Sequence, residues 1–154
     1  MEQFRTTSDI REYVKSLGKI YSRAAIVNEH STLYLDYSQG SMVHGIREKD
    51  YLISSCRQWV IPHDQMGLSF SAHWQHLKDK IKLKARFADG KDVTVHWVLE
   101  TADIPDGLKF KRDNKDSQHF FLTVADQMLV KTLADKLNWL ADRMSKIEKV
   151  GRII

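Results

Sequence analysis

The chain has one cysteine, Cys56, and no run of eighteen apolar residues anywhere in its 154. A lone thiol cannot close an internal disulfide, and no Cys-x-x-Cys or Cys/His ligand spacing accompanies it, so a disulfide framework is excluded and a reducing cytoplasm is expected. The missing apolar run leaves no segment to read as a membrane-spanning helix. The opening MEQFRTTSDIREYVK also lacks the apolar core of a secretory signal. Cytoplasmic residence follows as the expectation, with delivery into a target cell by a route that reads no signal peptide as its extension. Three nucleotide and metal signatures are absent as well: the phosphate-binding loop, the dinucleotide Gly-x-Gly-x-x-Gly and His-Glu-x-x-His. Neither an internal repeat nor a low-complexity tract is present.

What the chain does have is an ordinary globular composition, 42% apolar and 29% charged. That length and composition suit one domain over residues 1–154, with a core large enough to need neither disulfides nor a structural metal. The net charge of +4 comes from 24 basic and 20 acidic side chains scattered along the chain. Anionic ligands and acidic partners are compatible with it.

Residues 7–18 read as a helix capped by Thr7 or Ser8, with Ile10, Tyr13, Val14 and Leu17 on one face and Gly18 as a left-handed terminator. KIYSRAAIV (19–27) and TLYLDYS (32–38) read as strands joined by the turn NEHS. Residues 39–71 lack sustained period and are expected to form a long connection with one helix near 47–57. AHWQHLKDKIK (72–82) places Trp74, Leu77 and Ile81 at helical spacing, and LKARF and VTVHWVL are expected as a hairpin around Asp89-Gly90. Strands near 108–112 and 119–124 follow the Pro105-Asp106-Gly107 turn. Leu129, Val130, Leu133, Leu137, Leu140, Met144 and Ile147 make the stripe of an amphipathic helix over 126–149, docked on a sheet. This order predicts an α+β fold with antiparallel pairing.

Of the seven histidines, His73 and His76 share a helix face but find no clear third metal ligand, so they read as solvated or partner-facing. His96 reads as an exposed or half-buried strand residue. Two stretches carry more weight. In MGLSFS, Gly67 permits a sharp turn or a close backbone approach and Ser69 offers a hydroxyl. In QHFFLTV, His119 opens a strand and is expected to share a face with Phe121 and Val124, with Phe120 and Leu122 on the other.

The order of these pieces resembles the small ADP-ribosyltransferase-like cytotoxins of type VI secretion, with their bacterial and fungal relatives. The resemblance covers residues 66–140 and rests on three steps: Gly67, Ser69 and Phe70; Ile104, Pro105 and Leu108; and His119, Phe120 and Met128, before the closing helix. It implies a single domain with a mixed, largely antiparallel sheet split around a cleft for NAD, which is consumed as substrate. Ser69 and His119 would be the catalytic pair, orienting ribose and nicotinamide, with Gly67 and Phe70 lining the site. A first-strand arginine would serve the diphosphate, and two sites compete for it: Phe4-Arg5, which is preferred, and Tyr21 with Arg23. Glu100 is the nearest candidate for a catalytic glutamate. A macromolecular target in a bacterial cytoplasm and a cognate immunity or antitoxin protein are the implied partners, with no membrane.

Cleaving the nicotinamide–ribose bond builds positive charge on the anomeric carbon, so a site that positions the ribose gains more than one offering a strong nucleophile. Phe70, Tyr13, Tyr21 and Trp59 are candidate stacking partners. Two competing readings remain. Lys109, Lys111, Arg112 and Lys115 near His119 would suit a basic RNA-directed toxin or RNA-binding module without NAD chemistry. A non-catalytic adaptor or immunity protein would present the stripe of the final helix to a partner.

Overall fold

The computed structural model describes residues 4–16, 20–26 and 42–147. In chain order its elements are α1 (Thr7–Ser16), β1 (Ile20–Ile26), β2 (Met42–Val43), β3 (Ile46–Arg47), β4 (Leu52–Ile53), β5 (Trp59–Ile61), β6 (Leu68–Ser71), α2 (Trp74–Arg86), β7 (Val93–Leu99), β8 (Leu108–Asp113), β9 (Asp116–Val124), β10 (Met128–Leu129), α3 (Val130–Ala141) and β11 (Ser145–Ile147). Three helices with antiparallel strand pairs define the α+β class. The expected strand 32–38, its NEHS turn and the Gly18 cap lie outside the described residues. The chain divides into two compact units, one of residues 1–29, 70–102 and 144–154 and the other of 30–69 and 103–143.

In the first unit β7 pairs with β1 on one side and β11 on the other, which aligns Ala24, Val95 and Ile147 in one row and Ser22, Trp97 and Ser145 in the next. From these rows Ala24, Val95, Trp97 and Ile147 contribute to a core with Ile10 and Val14 of α1 and Trp74, Leu77 and Ile81 of α2. Phe4 joins that core, with its ring 4.5 Å from Trp97 and 4.9 Å from Tyr13, both edge-on. Helix α1 is capped one residue earlier than expected, by Thr6. Thr6 Oγ1 accepts from the Asp9 amide at 3.2 Å, and the Asp9 carboxylate accepts from the amides of Arg5 and Thr6. This reciprocal arrangement satisfies the orphan donors of the first turn, and the Arg5 amide is the main reason the Asp9 carboxyl titrates below its ordinary range.

Helix α2 runs through LKAR, where a strand was expected. Leu83 and Phe87 stay exposed, so no sheet claims them, and the helical spacing of Leu77 and Ile81 carries on. Asp89 and Gly90 take the positive φ of 49° and 82° that their hairpin chemistry suggested, but they join α2 to β7.

In the second unit the residues expected as a helix near 47–57 form turns and short strands. Arg47 and Asp50 are paired at 2.7 Å across a tight turn, Leu52–Ile53 enters β4, and Arg57 adopts φ 63° in a turn that returns the chain to β5. Strand β5 pairs with β4 and β10, so Leu52 lies opposite Ile61 and Leu129 opposite Trp59. Strands β8 and β9 form the long hairpin of the unit, entered through Pro105-Asp106-Gly107 with Gly107 at φ 87° and Leu108 N–H bonded to the Pro105 carbonyl. Helix α3 buries Val130, Leu133, Ala134, Leu137 and Leu140. It is shorter than the expected 126–149, because Met128–Leu129 pairs with β5 and the chain turns at Asp142 and Arg143. Met144 and Ile147 are buried, but Ile147 is buried from a strand.

Tyr51 ties two parts of this unit together: 2% exposed, it donates its hydroxyl to the Leu122 carbonyl at 2.7 Å. Removing that donor while keeping the ring leaves a buried acceptor short of a partner. Tyr51→Phe is therefore expected to lower unfolding free energy by about 1–2 kcal/mol in urea titrations.

Candidate functional site

One face of the β8–β9 hairpin gathers polar and aromatic side chains around His119. Directly opposed residues of an antiparallel pair share a face, as do residues two apart on a strand. The register Lys109↔Thr123 and Lys111↔Phe121 therefore puts Lys109, Lys111, Phe121, Thr123 and His119 together. Asp113 follows a register shift after Arg112, and its side chain reaches the same group. Its Oδ2 accepts from Nδ1–H of His119 at 2.8 Å, with 12% of the imidazole and 16% of the carboxylate side chain exposed. The His119 ring stands edge-on to Phe121, centroids 4.7 Å apart. Its orientation is thus fixed by a carboxylate on one side and an aromatic ring on another. The Lys115 amide, bonded to Asp113 Oδ1 at 2.8 Å, and then His119 hold the Asp113 carboxyl below its ordinary range. In the neutral ring, a carboxylate at Nδ1 favours the tautomer protonated there, which makes Nε2 the hydrogen-bond acceptor.

The segment before β6 is pinned to this hairpin. Thr123 Oγ1 donates to the His63 carbonyl, Lys109 lies 3.5 Å from Asp64, and Gln65 bonds the Arg112 carbonyl and the Asn114 amide. Two residues later Gly67 sits so close to β9 that an added Cβ would fall 2.5 Å from the Leu122 oxygen. The close approach read from Gly67 is thus made to the chain's own strand. β6, which carries Ser69 in an exposed position, is hydrogen-bonded to β9, which carries His119.

Gly67, Ser69 and His119 therefore belong to one unit, on neighbouring strands, while Arg5 and Phe70 belong to the other unit. Arg5 is exposed and precedes α1 instead of lying on a strand; the arginine on the first strand is Arg23, whose guanidinium lies 5.6 Å from the centroid of the Phe70 ring. Phe70 is 1% exposed and is a core residue. Tyr13 packs on Phe4, and Tyr21 has its hydroxyl pushed up by burial and then by Glu100, which is itself exposed. His73 and His76, expected as solvated or partner-facing, both make local bonds: His73 caps α2 by accepting from the Gln75 amide, and His76 bonds Ser71 at 2.5 Å. Among the described residues no three His, Cys, Asp or Glu side chains gather as a metal site. A shallow cavity of about 360 Å³ lies between the Pro105-Asp106 turn and α3, lined by Thr132, Asp135, Lys136 and Trp139, and includes neither Ser69 nor His119. Asp113 is the site residue that sequence reasoning missed. Its signal was an acid at the start of a polar turn six residues before the histidine.

Comparison with protein-family models, curated proteins and solved structures finds no match for this chain.

Proposed function

We propose that the chain is an NAD-consuming, ADP-ribosyltransferase-like toxin that modifies a macromolecule in a bacterial cytoplasm and is neutralised by a cognate immunity or antitoxin protein. The observation that carries this reading is the placement of the Ser69 strand beside the His119 strand, with His119 oriented by Asp113. In this reading His119 Nε2 accepts from a ribose hydroxyl and Ser69 bonds the nicotinamide ribose, so that both hold the sugar as its anomeric carbon becomes positive and nicotinamide leaves. His119 works as an orienting group, and no proton need move through it.

The basic hairpin favours a second reading, RNA as the ligand, because Lys109, Lys111, Arg112 and Lys115 lie on the same two strands and turn as His119. The adaptor reading draws less support, since α3 buries Val130, Leu133, Ala134, Leu137 and Leu140.

The test is nicotinamide release from NAD by the full chain, measured beside RNA cleavage without NAD. His119→Ala and Ser69→Ala are each expected to slow nicotinamide release about tenfold, the scale of one orienting hydrogen bond, with circular dichroism showing a retained fold. Cleavage of RNA with no nicotinamide release would replace this reading with the second.

A further inference from the structure

We infer that Lys111 is the anion-binding group of the His119 site and holds a phosphate of its ligand, an inference that rests on the proposed reading only for the identity of that ligand. Four basic side chains cluster on the hairpin, and the structure separates their roles. Lys109 is already opposite an acid, Asp64, at 3.5 Å. Arg112 is paired with Phe120 and so stands on the opposite face from His119. Lys115 is exposed in the turn, and its amide is committed to Asp113. Lys111 lies opposite Phe121, whose ring contacts the His119 imidazole, and no acidic partner for it exists among the described residues.

A half-buried lysine without a carboxylate, on the same strand face as an aromatic ring and the oriented imidazole that the ring touches, is arranged to meet an anion. The two carboxylates nearby are already engaged, Asp113 by the Lys115 amide and His119 and Asp64 by Lys109. Lysine also suits the task chemically: it offers a mobile point charge to a phosphate instead of demanding the fork geometry of arginine. The ligand class is a phosphate ester or diphosphate whose neighbouring hydroxyl can reach His119 Nε2. The diphosphate of a dinucleotide and the backbone of RNA share that chemistry.

Inorganic pyrophosphate, titrated into the full chain while the ring ¹⁵N signals of His119 are followed by NMR, tests this without any turnover. Pyrophosphate is expected to move the His119 signals in the wild type. Its affinity should fall about tenfold in Lys111→Ala and be kept within about threefold in Lys111→Arg. Lys109→Ala, which removes a charge already opposite Asp64, should change it less. Unmoved His119 signals, or equal affinity in wild type and Lys111→Ala, would overturn the inference. The same titration with NAD separates the two claims. Pyrophosphate binding without NAD binding removes the NAD reading and leaves the anion site standing, whereas NAD binding indifferent to Lys111→Ala does the reverse.

Discussion

Gly67→Ala is expected to destabilise the chain by about 3 kcal/mol or more, which places it among the severe single substitutions. Two independent costs meet at this position. Its φ of +153° lies where side chains rarely go, and the Cβ would stand 2.5 Å from the Leu122 oxygen, 2.8 Å from its carbonyl carbon and 3.2 Å from the Phe121 Cβ. The obstructing atoms are mostly backbone of β9, so no rotamer change relieves the clash. Relief requires β6 and β9 to separate, and Leu122 is also the residue whose carbonyl Tyr51 holds. Gly90 provides the contrast. Its φ is +82°, but nothing lies within 4 Å of an added Cβ, so Gly90→Ala carries only the conformational cost of about 1 kcal/mol. Urea unfolding of the two variants beside wild type measures the difference, and hydrogen exchange should locate the Gly67 loss in β8 and β9. A Gly67→Ala protein as stable as Gly90→Ala would show that the strands do not approach in this way. Because the close approach is to β9, Gly67 substitutions report on folding and are unsuitable as tests of ligand binding.

The pieces of the fold most legible in the sequence were those fixed by local pattern. The strand VTVHWVL, the helical spacing of Trp74, Leu77 and Ile81, and the Pro105-Asp106-Gly107 turn into β8 all appear where the residues put them. Where the reading failed, a correct local signal had a different context. Asp89-Gly90 does turn with positive φ, but a strand before it could not be told from a helix end, since LKARF has too few residues to reveal its period. Met144 and Ile147 are buried as the stripe implied, yet helix and strand both bury residues three apart when the chain changes direction between them. The segment 47–57 was illegible for a further reason. Its order comes from pairing with β5 and from the long-range Tyr51 bond to Leu122, neither of which leaves a local period.

The site divides along the same line. His119 with Phe121 on its own face follows from strand alternation alone and agrees with the ring contact, whereas Val124, expected there too, pairs with Leu108 and lies on the other face. Asp113 escaped notice because its reach to His119 depends on a register shift within the hairpin, a feature of pairing that no single strand announces. Arg5 was read as a strand residue from its aromatic neighbour Phe4, but Thr6 and Asp9 form a capping box there, and that local chemistry begins a helix.

His96 is expected to make the chain lose about 3 kcal/mol of stability between neutral pH and pH 4. The residue was expected at the surface or half-buried, but it is 7% exposed, and its Nε2 makes no hydrogen bond. On β7 it stands between Arg23 of β1 and Lys146 of β11, directly opposite each in register. Burial first, then the charges of Arg23 and Lys146, push its pKa from the ordinary 6.5 down to about 4. Above pH 6.5 the imidazole is neutral whether the chain is folded or not, and it contributes nothing to the pH dependence. As pH falls from 6.5 toward 4 the unfolded chain takes up a proton that the folded chain refuses, so stability falls throughout that window and levels off below it. A displacement of this size at about 1.4 kcal/mol per pH unit gives the expected total. The depressed carboxyls of Asp9 and Asp113 act lower, because their stabilisation is lost only as pH falls through pKa values below the ordinary 3.8. Urea unfolding at pH 7.5, 5.5 and 4.2 in wild type and in His96→Gln isolates the effect. Glutamine keeps a polar side chain of similar size but does not titrate, so its stability should fall less across the window by about the same 3 kcal/mol. Parallel pH profiles for the two proteins would mean that His96 takes up its proton while folded, and that the row of Arg23, His96 and Lys146 tolerates a third positive charge.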